Sequence, residues 1–419
     1  MVKRGGLGCL GGHIVPQNAS FKELIEILEP EGHEFYGLRN GFEAFETKEA
    51  YKLKAQDIPE YFAGFVGGVG RHTLLKEVEE DGKKRKVVDY EKIDMARNFV
   101  KRAKLDYLVF SAGDDHGMQA HILKQELGDI VDVYVLNKTM DNDLGGIDGR
   151  DCAPFTDFTS GFHSAVVNAL KMVQQHYSGA WTNDCPYLVG CFGRDANWVG
   201  IALAYYSFAD RLIYGELSKD HVGHSIEEIH RIILESQNEN ERKYGRRFAM
   251  VIVPEGTRVK GLKHVSEDLI DVHGHHNLNP ENLVIQLKKE LDKEYGMKTQ
   301  ALGITYEMRN FCGLFPETRI DLELGRESAR IIAEAIKRGD DGVESVFKIV
   351  GDEIKTDLAL IGEVSVTRFS RYYEMANRKN FIDYEDFKVT DEIGRYYKPL
   401  FGERGELDWL PRKLELVRF

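Results

Sequence analysis

Residues 107–115 read YLVFSAGDD, a continuous apolar run that ends in a glycine and two carboxylates. Such runs, rich in β-branched and aromatic residues, are typical of parallel strands that are covered on both faces. Three similar runs follow at residues 133–136 (VYVL), 187–192 (YLVGCF) and 248–253 (FAMVIV). The sequence therefore predicts an α/β protein whose sheets are mainly parallel.

Helical patterns alternate with these runs, and this alternation favours doubly wound, Rossmann-like lobes. The charged segment at residues 77–86 (EVEEDGKKRK) is predicted to be a solvated loop. The predicted helices are Phe21–Leu28 with Ser20 as a candidate cap, Phe162–Tyr177, Val199–Phe208, Ile226–Glu235, Glu281–Tyr295 and Leu324–Lys337.

Length and charge exclude several classes of function. A chain of 419 residues is long enough for two or three domains. Its 69 acidic and 56 basic side chains give a net charge of −13, which disfavours nucleic acid and anionic membranes as partners. No apolar run approaches the ~20 residues that span a bilayer, and the first residues show no secretory signal. Five cysteines without CxxC spacing indicate no disulfide framework or zinc site, so we expect a cytoplasmic protein.

Two glycine-rich loops could bring backbone close to an anion. Gly11 and Gly12 precede the helix predicted at Phe21, whose start offers free N–H donors. Residues 63–71 (AGFVGGVGR) end in Arg71, whose forked guanidinium suits a phosphate. Each loop alone is also compatible with an ordinary surface turn, and a glycine pair such as Gly11–Gly12 is common in turns.

Two further loops carry carboxylates directly after predicted strands, where open α/β sheets bind their ligands. Asp114 and Asp115 could hold Mg²⁺, which prefers oxygen ligands and bridges substrate phosphates, although a pair of aspartates also caps helices. Residues 137–143 (NKTMDND) place a cation, a hydroxyl and two carboxylates within one short segment. So dense a polar cluster at a strand end is costly unless it serves a function.

In their order and spacing these segments resemble the phosphofructokinase superfamily, specifically its pyrophosphate-dependent branch, over roughly residues 5–330. The matching pieces are Gly11, Gly12 and Asn18; residues 36–41 (YGLRNG), 63–71, 112–115 (AGDD), 137–143, 159–165 (TSGFHSA), 192–194 (FGR), 254–256 (PEG), 271–278 (DVHGHHNL) and 305–309 (TYEMR); and a helix near residues 324–329.

This resemblance implies two Rossmann-like lobes with the active-site cleft between them. The phosphoryl-donor lobe would comprise residues 1–152 and about 320–380, and the sugar-phosphate acceptor lobe residues 153–319. Residues 381–419 would form a C-terminal extension. The implied activity is a reversible, glycolytic transfer of phosphate from pyrophosphate to the 1-hydroxyl of fructose 6-phosphate, with Mg²⁺ as cofactor. Members of this kind are usually homodimers or homotetramers.

The resemblance also implies roles in catalysis. Phosphoryl transfer requires alignment, charge neutralisation and a base for the acceptor hydroxyl. Asp141 would take the proton from the sugar 1-hydroxyl, and Asp143 would support that step. Asp114 would bind Mg²⁺, and Thr139 with the neighbouring backbone would stabilise the transferring group.

Substrate-binding roles follow in the same way. Gly11, Gly12 and Arg71 would contact the donor. Arg194 and Glu255, with Phe192 and Gly193 beside them, would hold the sugar phosphate. Tyr306 and Arg309 would bind its 6-phosphate.

Donor choice depends on Asp115 and Lys138. ATP-using members have glycine in place of Asp115 and commonly in place of Lys138. A carboxylate at Asp115 would repel an α-phosphate, whereas the Lys138 ammonium would attract the short, highly charged pyrophosphate. The departures from the family pattern, including His13, Ala112, Asn137 and Phe192, lie beside the acceptor site and leave open whether sedoheptulose 7-phosphate is also used.

Three other functions are alternatives to this one. An ATP-dependent 6-phosphofructokinase or related sugar-phosphate kinase is opposed by Asp115 and Lys138. A non-catalytic regulatory subunit is opposed by the presence of Asp114, Asp141 and Arg194. A nicotinamide dehydrogenase is excluded because no GxGxxG motif with a downstream acidic residue follows a predicted strand. The histidines at 273, 275 and 276 are interpreted as part of a polar loop rather than as a metal site.

Overall fold

The computed structural model describes residues 2–80, 83–145, 155–215, 223–262, 278–310, 312–364, 380–406, 410–411 and 413. The chain forms two compact units, the first from residues 1–164, 272–275 and 309–371 and the second from residues 165–271, 276–308 and 372–419. The lobes and the C-terminal extension that the sequence predicts, with boundaries near residues 152, 320 and 380, stay predictions. Which unit receives the phosphoryl donor stays a prediction.

The strands are short and spread along the chain. They are β1 Arg4–Leu10, β2 Glu34–Leu38, β3 Ala50–Leu53, β4 Val69–Gly70, β5 Leu75–Glu80, β6 Lys83–Val88, β7 Tyr107–Ala112, β8 Asp132–Asn137, β9 Pro186–Cys191, β10 Arg211–Leu212, β11 Ala249–Pro254, β12 Gln300–Ile304, β13 Val343–Val350, β14 Glu353–Leu360, β15 Ile382–Asp383 and β16 Lys388–Val389.

The helices lie mostly between these strands. They are α1 Pro16–Leu28, α2 Glu43–Thr47, α3 Tyr90–Ala103, α4 Asp114–Leu127, α5 Phe162–Asn183, α6 Trp198–Tyr206, α7 Ile226–Tyr244, α8 Pro280–Tyr295, α9 Arg319–Arg338, α10 Ile361–Val364 and α11 Asp391–Phe401.

The first unit is a doubly wound sheet in the order β14-β13-β8-β7-β1-β2-β3, with β4 paired to the end of β1. The strands from β13 to β2 are parallel, and β3 and β14 close the edges in antiparallel fashion. Side chains of β7 alternate between two cores. Leu108 and Phe110 pack with α3 and α4, and Tyr107 and Val109 pack with α1 and α9. Helices therefore cover both faces, as the apolar run at residues 107–111 predicts.

The second unit contains a smaller parallel sheet in the order β10-β11-β9-β12. All residues of β11 are buried, since α6 and α7 both pack on it. Helix α6 is itself buried along its whole length, and α11 packs against it, with Trp198 and Tyr397 meeting edge to face. The mainly parallel α/β class predicted from the sequence is confirmed.

Two local predictions are wrong. Helix α1 begins at Pro16, so Ser20 is not its cap. Ser20 lies inside the helix, where its hydroxyl donates to the Pro16 carbonyl at 2.8 Å. The charged segment 77–86 is not a loop, because β5 and β6 pair as an antiparallel hairpin. Its register sets Glu77 opposite Lys86, an arrangement of opposite charges that stabilises a ribbon with little apolar surface.

Two observations concern the described residues. None of their helices is long and apolar enough to span a membrane. Their cysteines, Cys9, Cys185, Cys191 and Cys312, are free thiols. Cys152 lies outside the described residues.

Candidate active site

The carboxyl ends of three neighbouring strands gather most of the predicted residues of the first unit. Strands β1, β7 and β8 are adjacent and parallel, so the loops that follow them emerge at the same edge of the sheet. These loops carry the Gly11–Gly12 pair, the Asp114–Asp115 pair and residues 138–143. The sequence-predicted donor and catalytic residues are thus brought to one place.

The Gly11–Gly12 turn approaches the other two loops closely. Gly11 has a φ of 82°, and a Cβ there would lie 3.4 Å from both the Lys138 Nζ and the His116 Nδ1. A Cβ on Gly12 would lie 3.1 Å from Nη1 of Arg309. The missing side chains leave the turn's backbone facing three nitrogen-bearing groups, which is a setting suited to an anion.

Lys138 is the central cation of this group. Only 5% of it is exposed. Burial lowers the pKa of Lys138 to about 8; the nearby Arg309 also lowers it, whereas Cys9, Asp141 and Asp143 raise it. Near neutral pH the side chain is therefore a weakly solvated cation, and an anion placed beside it gains strongly from the attraction.

The loop after Lys138 is held in place by its own hydrogen bonds. The Thr139 hydroxyl accepts from the Asp141 amide at 3.2 Å and donates to the Asp143 carboxylate at 3.3 Å. The Thr139 amide donates to the Ser160 carbonyl at 3.1 Å, and buried Asn142 has a φ of 57°. These bonds fix the backbone of the loop at Asp141, whose side chain is half-buried.

Asp114 and Asp115 form the first turn of α4 and are half-buried. Within the described segments no group of three or more histidine, cysteine or carboxylate side chains could hold a metal ion. Mg²⁺ commonly keeps several waters and uses one or two carboxylates together with substrate phosphates. Two adjacent carboxylates at a strand end fit that kind of site.

Arg71 and Arg309, the two candidate phosphate-binding arginines of the first unit, differ in exposure. Arg71 directly follows β4, whose Gly70 carbonyl accepts from the Gly11 amide at 2.9 Å. Its side chain is exposed and forms no ion pair or hydrogen bond within the described part of the chain. Arg309 is only 8% exposed and lies against Gly12. The sequence places Arg309 outside the donor loops, but the structure sets it directly on one of them.

The second unit positions Arg194 through Glu255. These residues follow the neighbouring strands β9 and β11. One oxygen of Glu255, Oε1, accepts from the amides of Gly193 at 3.2 Å and Arg194 at 2.8 Å. Both residues have positive φ, 123° and 49° respectively, so the carboxylate holds a backbone that Arg194 adopts only under strain. Glu255 thus fixes the backbone at Gly193 and Arg194.

Phe192 and Tyr306 differ in accessibility. Phe192 is 1% exposed and its amide donates to the Ile304 carbonyl at 3.2 Å, so its ring is part of the core of the second unit. Tyr306 opens a short 3₁₀ helix after β12 and is exposed. The segment at residues 271–277, including the three histidines, lies outside the described residues.

Sequence reasoning missed His116 and the backbone role of Glu255. His116 is buried and faces the Gly11 turn. The available signal was its position directly after the carboxylate pair. The role of Glu255 had no local signal, because its partners are more than 60 residues away in the sequence.

Comparisons with known proteins found a matching family model, similar relatives and similar folds. A sequence model of the phosphofructokinase family matches residues 5–309. The chain is similar to a pyrophosphate–fructose 6-phosphate 1-phosphotransferase of Thermoproteus tenax, with 25% identity over 333 residues, 80% of this chain and 86% of the relative. It is equally similar, at 25% identity over 288 residues, to an ATP-dependent 6-phosphofructokinase of Fusobacterium nucleatum, covering 68% of this chain and 77% of the relative.

Among solved structures, the fold is similar to that of a pyrophosphate-dependent phosphofructokinase from Marinobacter aquaeolei. The TM-score is 0.70, over 100% of this chain and 98% of that one, at 17% sequence identity. At this identity the likeness establishes the fold, and it leaves the donor undecided.

The hydrogen bonds of Glu255 give a stability prediction. Glu255→Ala removes the acceptor of one buried and one partly buried amide, so we expect the free energy of unfolding to fall by about 2 kcal/mol or more. Glu255→Gln keeps one acceptor oxygen and should lose less than half as much. Denaturant unfolding measures both. Glu241→Ala, which removes an exposed ion pair with Arg247, is the control and should cost less than ~1 kcal/mol. Equal losses for Glu255→Ala and Glu241→Ala would contradict the assignment.

Proposed function

The chain belongs to the phosphofructokinase family, and from this premise we propose that it transfers a phosphoryl group reversibly from pyrophosphate to the 1-hydroxyl of fructose 6-phosphate, giving fructose 1,6-bisphosphate. It would act as a diphosphate–fructose-6-phosphate 1-phosphotransferase, with Mg²⁺ as its cofactor. Assembly as a homodimer or homotetramer stays a prediction.

The observation that carries the choice of donor is the buried ammonium of Lys138 beside the Gly11 turn. A compact point charge in a dry site favours a short donor with a high charge density over an extended nucleotide. Asp115, half-buried in the first turn of α4, adds a negative charge that disfavours the α-phosphate of ATP. Gly11, Gly12 and the exposed Arg71 complete the donor-binding set.

Asp141 is the proposed general base. Its loop is fixed by the Thr139 and Ser160 hydrogen bonds, so the carboxyl meets the sugar hydroxyl without first being ordered. Asp143, which accepts from the Thr139 hydroxyl, supports it electrostatically. Asp114 would hold Mg²⁺, which supplies neutralising charge to the donor phosphates.

Arg194 and Glu255 are proposed to bind fructose 6-phosphate, with Tyr306 and Arg309 at its 6-phosphate. The strained Arg194 backbone, held by Glu255, is the kind of fixed conformation that preorganises a phosphate contact. Arg309 lies against Gly12. Of the two arginines proposed to bind the sugar phosphate, Arg309 is therefore the one that lies against a donor loop.

Donor choice is tested by kcat/KM with pyrophosphate and with ATP, using fructose 6-phosphate and Mg²⁺. We expect the wild type to use pyrophosphate with little activity towards ATP. Asp115→Gly should lower the pyrophosphate rate and raise the ATP rate, because it removes the repulsion of the α-phosphate. Adding Lys138→Gly should extend the change in a non-additive way, because both side chains would meet one ligand. A wild type that prefers ATP would identify an ATP-dependent 6-phosphofructokinase instead.

The general-base role gives a separate prediction. Asp141→Ser should lower kcat by ~10²–10⁴-fold, because proton removal from the acceptor hydroxyl is lost, with KM for pyrophosphate within a few-fold. Steady-state kinetics in the forward direction measure both constants. Asp129→Ser, an exposed carboxylate after α4, is the control and should leave kcat unchanged. Near-normal turnover of Asp141→Ser would refute the role. A wild type as slow as the variant would favour a non-catalytic subunit.

A further inference from the structure

His116 is the third residue of α4, next to Asp115, and only 4% of it is exposed. Its Nδ1 lies 3.4 Å, and its Cε1 3.7 Å, from the position that a Cβ would take on Gly11. The Nζ of Lys138 lies 3.4 Å from that same position. One edge of the imidazole and the ammonium therefore border the same small space at the glycine turn.

The imidazole is backed by the packed core of the first unit. Its ring centroid lies 6.3 Å from that of Phe42, which is buried and in turn meets Phe110 edge to face. A flexible side chain at this position could swing away from a bulky ligand. Because the buried imidazole lies beside the Phe42 ring in a close-packed interior, it moves only if its neighbours move too. The His116 ring therefore limits the space on one side of the Gly11–Gly12 turn.

We propose that His116 is a donor-specificity residue that limits the length of the phosphoryl donor. It closes the space behind Lys138, so the leaving phosphate fits beside the ammonium and a further phosphate attached to it does not. This inference rests on the proposed function, since it assumes that the donor binds at the Gly11 turn. It differs from the role of Asp115, which acts through charge, because His116 acts through size.

A length limit predicts discrimination between donors that lack any nucleoside. Inorganic tripolyphosphate is one phosphate longer than pyrophosphate and has no base for the protein to recognise. In the wild type we expect kcat/KM for tripolyphosphate to be ~10–200-fold below that for pyrophosphate, the range in which pocket size discriminates. His116→Ala should narrow this ratio at least several-fold, chiefly by raising the value for tripolyphosphate.

His121→Ala is the matched control. His121 lies on the same helix, but it contacts Gln125 and Gly362 rather than the glycine turn. It should leave the donor ratio unchanged. Calorimetric binding of tripolyphosphate, without the sugar, gives a second readout, and its affinity should rise in His116→Ala. If the alanine variant does not fold, His116→Asn, which is smaller but still polar, takes its place.

The outcomes separate the two proposals. A wild type that uses both polyphosphates equally well overturns the length limit, whatever the variants do. A wild type that prefers pyrophosphate, with a donor ratio that His116→Ala leaves unchanged, overturns the role of His116 and leaves the proposed function intact. A wild type that uses ATP and neither polyphosphate overturns both.

Discussion

The buried ammonium group of Lys138 is the constraint around which the site of the first unit is arranged. Removing a charge from water costs several kcal/mol unless other groups offset it. Asp141 and Asp143 offset only part of that cost, and Arg309 adds a charge of the same sign nearby. Because the pKa of Lys138 is about 8 in the folded protein and near 10.5 in a solvated lysine, the cost is present below about pH 8 and is relieved as the pH rises towards 10.5.

The other features of this site leave room for an anion beside the Lys138 ammonium. The Gly11–Gly12 turn lacks the side chains that would fill the space in front of Lys138. Within the loop from Thr139 to Asp143, the Thr139 hydroxyl bonds to the Asp141 amide and to the Asp143 carboxylate. These bonds hold the loop in one conformation. In the second unit, one carboxylate oxygen of Glu255 similarly accepts from two backbone amides, those of Gly193 and Arg194. Both arrangements lie at the carboxyl ends of parallel strands, where such sheets leave backbone groups for ligands.

The sequence predicted what depends on local pattern. Continuous apolar runs located β7, β8, β9 and β11, and the polar residues after those runs indicated the loops that we propose to be catalytic. It failed where the outcome depends on partners distant in sequence. Serine is a residue type that often caps helices, yet α1 begins at Pro16, before Ser20. The charged segment 77–86 forms a hairpin because its two halves carry opposite charges in register. The hold of Glu255 on Arg194, and the position of Arg309 against Gly12, arise only when separate strands and loops are brought together.

The central claim, that the Lys138 ammonium receives pyrophosphate, is tested most directly by counting protons during binding. At pH 8.5 most Lys138 side chains should be neutral in the free protein, and a bound anion should restore their charge. Calorimetric titration with pyrophosphate and Mg²⁺, without sugar and in buffers of different ionisation enthalpy, measures that uptake. Lys138→Arg, which stays charged at this pH, corrects for the ionisation of pyrophosphate itself. The account predicts that the wild type takes up most of one proton more than Lys138→Arg. Equal proton uptake by the two proteins, or no binding of pyrophosphate by the wild type, would contradict it.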